Sequence, residues 1–194
     1  MAADRLARFS RFCDLPPELR VRVYSYYCND LPRDIYTPAQ PPISKVSRLL
    51  RQESLPIFYQ TCSLRVEFTR LRQYDPEGVA ITSTVRPSQD TTCFLNTIAP
   101  KNAAETRNII VELAIERSTQ VECRLRLSNS STGHHCEVIS TAKTSPSRGA
   151  STNRAEKSIN ALMDSVAVSE GKKRLSVDDI YGVRRVLMEV YADA

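Results

Sequence analysis

The residues with most chemical potential in this sequence are His134, His135 and Cys136, which stand together and include both histidines of the chain. Imidazole and thiolate side chains could hold a zinc ion, with Cys123 as a further donor, or a Cys–His pair could attack an electrophilic carbon. The spacing argues against both. Two adjacent residues seldom aim at one ion, no standard zinc spacing is present, and the pair sits in a Ser/Thr/Gly-rich stretch that reads as an exposed turn. No glycine-rich phosphate loop, nucleophile elbow or His-Glu-x-x-His pattern occurs, and the whole chain has 5 glycines. The expectation is therefore no catalytic residue, no metal and no cofactor.

Positive charge is the second candidate chemistry. Arg20, Arg22, Arg48, Arg51 and the run Lys172-Lys173-Arg174 could contact phosphates or serve as a nuclear import signal, within a net charge of +5 and a pI near 9.0. No aromatic interleaving or nucleic-acid motif accompanies them, so solvated helix faces and a charged inter-helix turn are favoured. A small basic nucleic-acid-associated protein is the alternative reading of the chain.

The third candidate is a surface for docking. Pro16 and Pro17 suit the first turn of a helix, where their missing N–H groups would be unpaired in any case, and they make Asp14 a poor N-cap. Glu18 complements the helix dipole. From there Leu15, Leu19, Val23 and Tyr26 or Tyr27 recur at steps of three and four, giving one apolar face, while Arg20 and Arg22 point elsewhere. That face either docks another helical protein or forms an internal seam against Ile43, Val46 and Leu50. Amphipathic spacing by itself favours the seam.

The elements that would position these residues can be read in order. Cys28 to Pro42 contains four prolines and is a loop. A second helix follows, with Ile43, Val46, Leu49 and Leu50 inward, Lys45, Arg48 and Arg51 outward, and a kink or restart at Pro56. Ser63 to Phe68 alternates as a half-buried strand with Leu64, Val66 and Phe68 inward. A turn at 74–78, a strand at 80–85 and a short helix at 92–99 ended by Pro100 come next. Residues 108–116 and 121–127 are the strongest strand signals, with 136–141 a further strand. Residues 143–153 read as a linker rich in Ser, Thr, Gly and Arg. Asn153 with Glu156 caps one helix carrying Ala155, Ile159, Leu162, Met163 and Val166; Ser176 with Asp179 caps another carrying Ile180, Val183, Leu187, Val190 and Tyr191.

The predicted fold class is α+β: an N-terminal helical pair (1–62), a small, mostly antiparallel sheet (63–142), the linker, and two C-terminal helices (154–194). Hydrophobic content of 41% is ordinary for a globular chain. No run approaches the length of a membrane span and the N-terminus lacks the apolar core of a secretory signal, so a cytoplasmic or nuclear location with no membrane contact is expected. The 6 cysteines are scattered without a Cys-x-x-Cys pair and read as reduced core thiols.

Leu15-Pro-Pro-Glu-Leu-Arg-Val-Arg-Val-Tyr24, followed by Ser47-Arg-Leu-Leu-Arg-Gln-Glu-Ser-Leu-Pro-Ile-Phe-Tyr59, resembles the large fungal family of F-box-like proteins. The resemblance covers about the first third of the chain, with a looser echo at Phe94 to Ala103. It implies an F-box-like helical module that presents Leu15, Pro16, Leu19 and Val23 to the Skp-type adaptor of an SCF ubiquitin ligase, the remainder holding a protein target. Where a standard F-box has a Val-Cys-Lys-x-Trp third helix, this chain reads Val46-Ser-Arg-Leu-Leu-Arg-Gln-Glu53 and has no Trp. The expected function is thus a non-catalytic protein–protein interaction module, a substrate-recruiting subunit with nucleic acid disfavoured as a partner.

Overall fold

The computed structural model describes residues 12–31, 34–35, 40–78, 80–116, 119–128, 133–141, 148–166, 168–169 and 172–191. Helix α1, Pro17–Asn29, begins as its prolines require: Pro16 is the extended N-cap without a side-chain bond, and its carbonyl accepts from the amides of Leu19 and Arg20. Helix α2, Arg48–Thr61, starts later than the spacing suggested. Pro42–Lys45 is a 3₁₀ turn, and Ser47 then caps α2 by accepting the Leu50 amide at 3.2 Å. The helix does not restart at Pro56. Gln52, whose carbonyl the proline leaves unbonded, is exposed to water, so α2 continues past it.

The inner face of α2 also differs from the expected one. Leu50, Ser54, Leu55, Phe58 and Tyr59 are buried, whereas Val46 and Leu49 stand exposed. Arg20 on α1 meets Glu53 on α2 and Cys28 meets Cys62, so the two helices run side by side in the same direction. Each leads into a strand, β1 (Asp34–Ile35) and β2 (Ser63–Tyr74), and these pair in parallel.

Four more strands complete the sheet: β3 (Ala80–Pro87), β4 (Asn108–Glu116), β5 (Thr119–Leu127) and β6 (His134–Ser140). The order is β1-β2-β4-β5-β6, with β3 paired to the far half of β2. The β2–β4 pair is parallel and the β2–β3, β4–β5 and β5–β6 pairs are antiparallel, giving a mixed, mostly antiparallel sheet. A parallel neighbour needs a crossover, supplied here by β3 with helices α3 (Gln89–Thr97) and α4 (Pro100–Glu105). Ser88 caps α3 through the Thr91 amide, and Pro100, expected to end a helix, instead opens α4 in the one position where a helix tolerates it. At the β2–β3 turn Gly78 takes a φ of 82°, and its amide donates to the Asp75 carbonyl.

Alternation places Leu64, Val66 and Phe68 of β2 on the core side, as expected, together with Val111 and Leu113 of β4 and Val121, Cys123 and Leu125 of β5. The helices α2, α3, α5 (Arg148–Ser165) and α6 (Val177–Tyr191) pack on that face. The fold is α+β with an N-terminal helix pair, this sheet and two C-terminal helices.

Three local expectations change at the C-terminal side. Residues 148–153 of the predicted linker are the first turns of α5, while 143–147 lie outside the described residues. Asn153 is therefore mid-helix, and Glu156 accepts the Val138 amide of β6 at 3.0 Å, covering that edge strand instead of closing a capping box. His134 and His135 lie in β6, not in a turn. The Ser176–Asp179 box does form: the Asp179 carboxylate accepts the Ser176 amide at 2.7 Å, and the Asp179 amide donates to Ser176 Oγ at 3.2 Å. Between α5 and α6 runs a hairpin of β7 (Val168–Ser169) and β8 (Lys172–Lys173). No helix among the described residues is long and apolar enough to cross a membrane.

Candidate docking face on the first helix

Helix α1 turns an unusual side inward. Its buried residues are Arg20, Tyr24 and Cys28, one turn apart, and not the aliphatic series beginning at Leu15. Arg20 points away from the Leu19 and Val23 side, as expected, but into the protein and not onto a solvated face, because Glu53 meets it there. Arg20 Nε donates to Glu53 Oε2 at 2.9 Å and Nη2 to Oε1 at 2.7 Å, a two-pronged pair. The Tyr24 hydroxyl donates to the same Oε2 at 2.9 Å. Arg20 Nη1 donates to the carbonyls of Cys13 at 3.2 Å and Leu15 at 2.5 Å, tying the turn before the helix to its first residues. Phe12 completes the clasp by lying edge-on to Tyr24 at 5.6 Å between ring centroids.

The electrostatics follow from these contacts. The hydrogen bond to Glu53 raises the Arg20 pKa, and the reciprocal bond from Arg20, against the burial cost, holds the Glu53 carboxyl below its ordinary value. Burial, reinforced by the Glu53 charge, pushes the Tyr24 hydroxyl up to about 12. At the other end of the interface Cys62 Sγ donates to the Cys28 carbonyl at 3.7 Å, and the neighbouring Cys28 sulfur together with burial raises the Cys62 thiol.

With the clasp inside, the aliphatic side of α1 faces water. Leu19 and Val23 are each 41% exposed and Tyr26 is 73% exposed. At steps of four and three these residues share one flank, and the exposed Pro16 precedes them by one turn. Leu15 is half-buried at the start of the same run. Of the residues of the alternative seam, Leu50 turns to the interior, Val46 is 72% exposed and Ile43 is half-buried. Leu49, also exposed, precedes Glu53 by one turn and so lies on the side of α2 that meets α1. Of the four residues predicted to bind a partner, the structure places Pro16, Leu19 and Val23 at the surface and Leu15 partly beneath it.

Glu53 was missed by the sequence reading. It is the sole carboxylate between Pro42 and Thr61, in a segment carrying Lys45, Arg48 and Arg51, and the four-residue recurrence of Arg20, Tyr24 and Cys28 was the matching signal.

The other candidate chemistries fall out differently. The two histidines alternate across β6: His134 Nε2 lies 3.0 Å from Asn160 Oδ1 of α5, and His135 points to the other face. Cys136 Sγ lies 3.8 Å from Cys123 Sγ. No group of three metal-ligating side chains comes together among the described residues. Cys28, Cys62 and Cys123 are the buried thiols expected, whereas Cys13 and Cys93 are exposed. In the basic run, Lys173 is buried, its ammonium donating to the Met163 carbonyl and reaching Asp164, and Arg174 pairs with Glu105 at 2.8 Å. Arg22, Lys45, Arg48 and Arg51 remain exposed.

Comparison of the chain with protein-family models, curated proteins and solved structures finds no match.

Proposed function

We propose that this chain is a non-catalytic protein–protein interaction module of F-box-like type, in which α1 docks a Skp-type adaptor and another surface holds a target protein for ubiquitination. The observation that carries the reading is the exposure of Leu19, Val23 and Tyr26 on a helix fixed from behind by Arg20, Glu53 and Tyr24. An aliphatic stripe at helical spacing on a rigid support is what helix-in-groove recognition uses, and contiguous exposed apolar surface commonly marks an interaction site. The resemblance at Leu15 to Tyr24 assigns Leu19 and Val23, with Leu15 and Pro16, to adaptor contact. A small basic nucleic-acid-associated protein draws less support, because Arg20, Lys173 and Arg174 make their contacts within the fold.

The test is capture of a recombinant Skp-type adaptor by the purified chain and by its Leu19→Asp and Val23→Asp variants. A buried aliphatic anchor replaced by a charge is expected to weaken binding at least about a hundredfold. Equal recovery by wild type and variants would count against the proposal.

A further inference from the structure

The face of the sheet turned away from the helices carries an arrangement that docking by α1 does not use. Strand register lines up Ser63 of β2, Asn108 of β4, Arg126 of β5 and His135 of β6 in one row across four strands. These alternate with the core-facing residues, so their side chains share the opposite face. They border a recess of about 160 Å³ whose floor is Ile110, a residue only 5% exposed and separate from the main core. Among the described residues, none of the four side chains in the row has a hydrogen-bond or ion-pair partner.

The row presents a hydroxyl, an amide, a guanidinium and an imidazole, a set dominated by donors, with Glu137 as the nearby acceptor. The cations of this face nearest the row are already matched: Arg65 lies 2.5 Å from Glu112 and 2.8 Å from Glu122, and Arg124 pairs with Glu122. Arg126 is thus the cation lining the recess that is left to meet a ligand, and its fork geometry favours a carboxylate. Three inter-strand spacings make the row about 14 Å long. A bare phosphate is too small to span it. Roughly four residues of extended chain do so, with one aliphatic side chain over Ile110.

We propose that this row and recess bind an extended, acidic peptide segment that alternates carboxylate and aliphatic side chains. The inference rests on the target-holding half of the function proposed above and is independent of adaptor docking.

The test is a titration of the ¹⁵N-labelled full chain with a capped tetrapeptide of alternating Glu and Leu, its Gln and Leu counterpart, and inorganic phosphate. The Glu peptide is expected to give saturable shifts of the Asn108, Ile110, Arg126 and His135 amides, with the Gln peptide and phosphate giving none. Arg126→Gln, at an exposed position, should leave the rest of the spectrum unchanged and weaken the Glu peptide about tenfold. No saturable shift with the Glu peptide, equal shifts with the Gln peptide, or phosphate reproducing the same shifts as a simple anion site would each overturn the proposal. The adaptor is not in the tube, so a negative result here leaves capture by α1 standing, and loss of capture leaves this site standing.

Discussion

Helices α1 and α6 are both amphipathic, yet they attach to the protein by opposite sides. In α6 the apolar stripe is inward: Ile180, Val183, Leu187 and Tyr191 are buried in the core, and Gly182 brings the helix close enough to α5 that a Cβ there would stand 3.0 Å from a Leu162 methyl. In α1 the inward stripe is Arg20, Tyr24 and Cys28, and the aliphatic residues look out. Burial of each large aliphatic side chain in α6 stabilises the fold by roughly 1.5–3 kcal/mol, whereas Leu19 and Val23, each 41% exposed, contribute a smaller share. The difference separates two uses of one pattern. A helix held by its aliphatic face has no such face to offer a partner, while one held by a polar clasp keeps its aliphatic face available.

The comparison can be tested from its larger side first. Leu187→Ala is expected to destabilise the protein by about 2–5 kcal/mol, since Leu187 is fully buried between the helices and the sheet. Urea denaturation would measure it, and a loss below about 1 kcal/mol would contradict the assignment of α6 to the core. Glu53→Gln attacks the clasp itself. The Glu53 carboxyl titrates below its ordinary value of 4.5 in the folded state, so its contribution is present at neutral pH and is lost as pH falls below 4.5 through the folded pKa. The variant should therefore be less stable than wild type at neutral pH, and the gap should narrow on acidification. A gap independent of pH would mean that the carboxylate charge is not what holds Arg20. Tyr24→Phe keeps the ring against Phe12 and removes one hydrogen bond to Glu53, an expected loss of about 1 kcal/mol by the same denaturation measurement.

The layered fold was legible because its signals are local or repetitive. The alternation at Leu64, Val66 and Phe68 and at Val121, Cys123, Leu125 and Leu127 reads directly as strand faces, and the Ser176–Asp179 box as a helix start. The parallel pairing of β2 with β4 was not legible, because strand partners are chosen over some 45 residues of intervening chain by burial of a common face. The start of α5 was hidden for a related reason. Its first turns are polar by composition, and their helical state is supported by contacts such as that between Thr152 and the Tyr191 hydroxyl, 3.3 Å apart and 39 residues away in sequence. At the docking face the residues were legible but their direction was not. Counting Arg20 as polar assigned it to solvent, and no local rule reveals that a carboxylate 33 residues later will neutralise it inside.

The smallest expected effect on stability is the most telling for α1. Leu19→Ser and Val23→Ser replace residues that a hydrophobicity pattern would place in a core, and a buried site would lose about 2–5 kcal/mol from either change. At their observed exposure, with no hydrogen bond of the clasp disturbed, each is expected to shift stability by no more than about 0.5 kcal/mol. The same pair of substitutions should reduce adaptor capture strongly, because an interface that buries Leu19 and Val23 recovers the aliphatic contact the fold leaves unused. A large loss of stability would return the face to the interior, and an unchanged stability with unchanged capture would leave an exposed aliphatic stripe without an assigned partner. Loss of capture with the fold intact is the combination that separates a helix kept for a partner from one kept for the core.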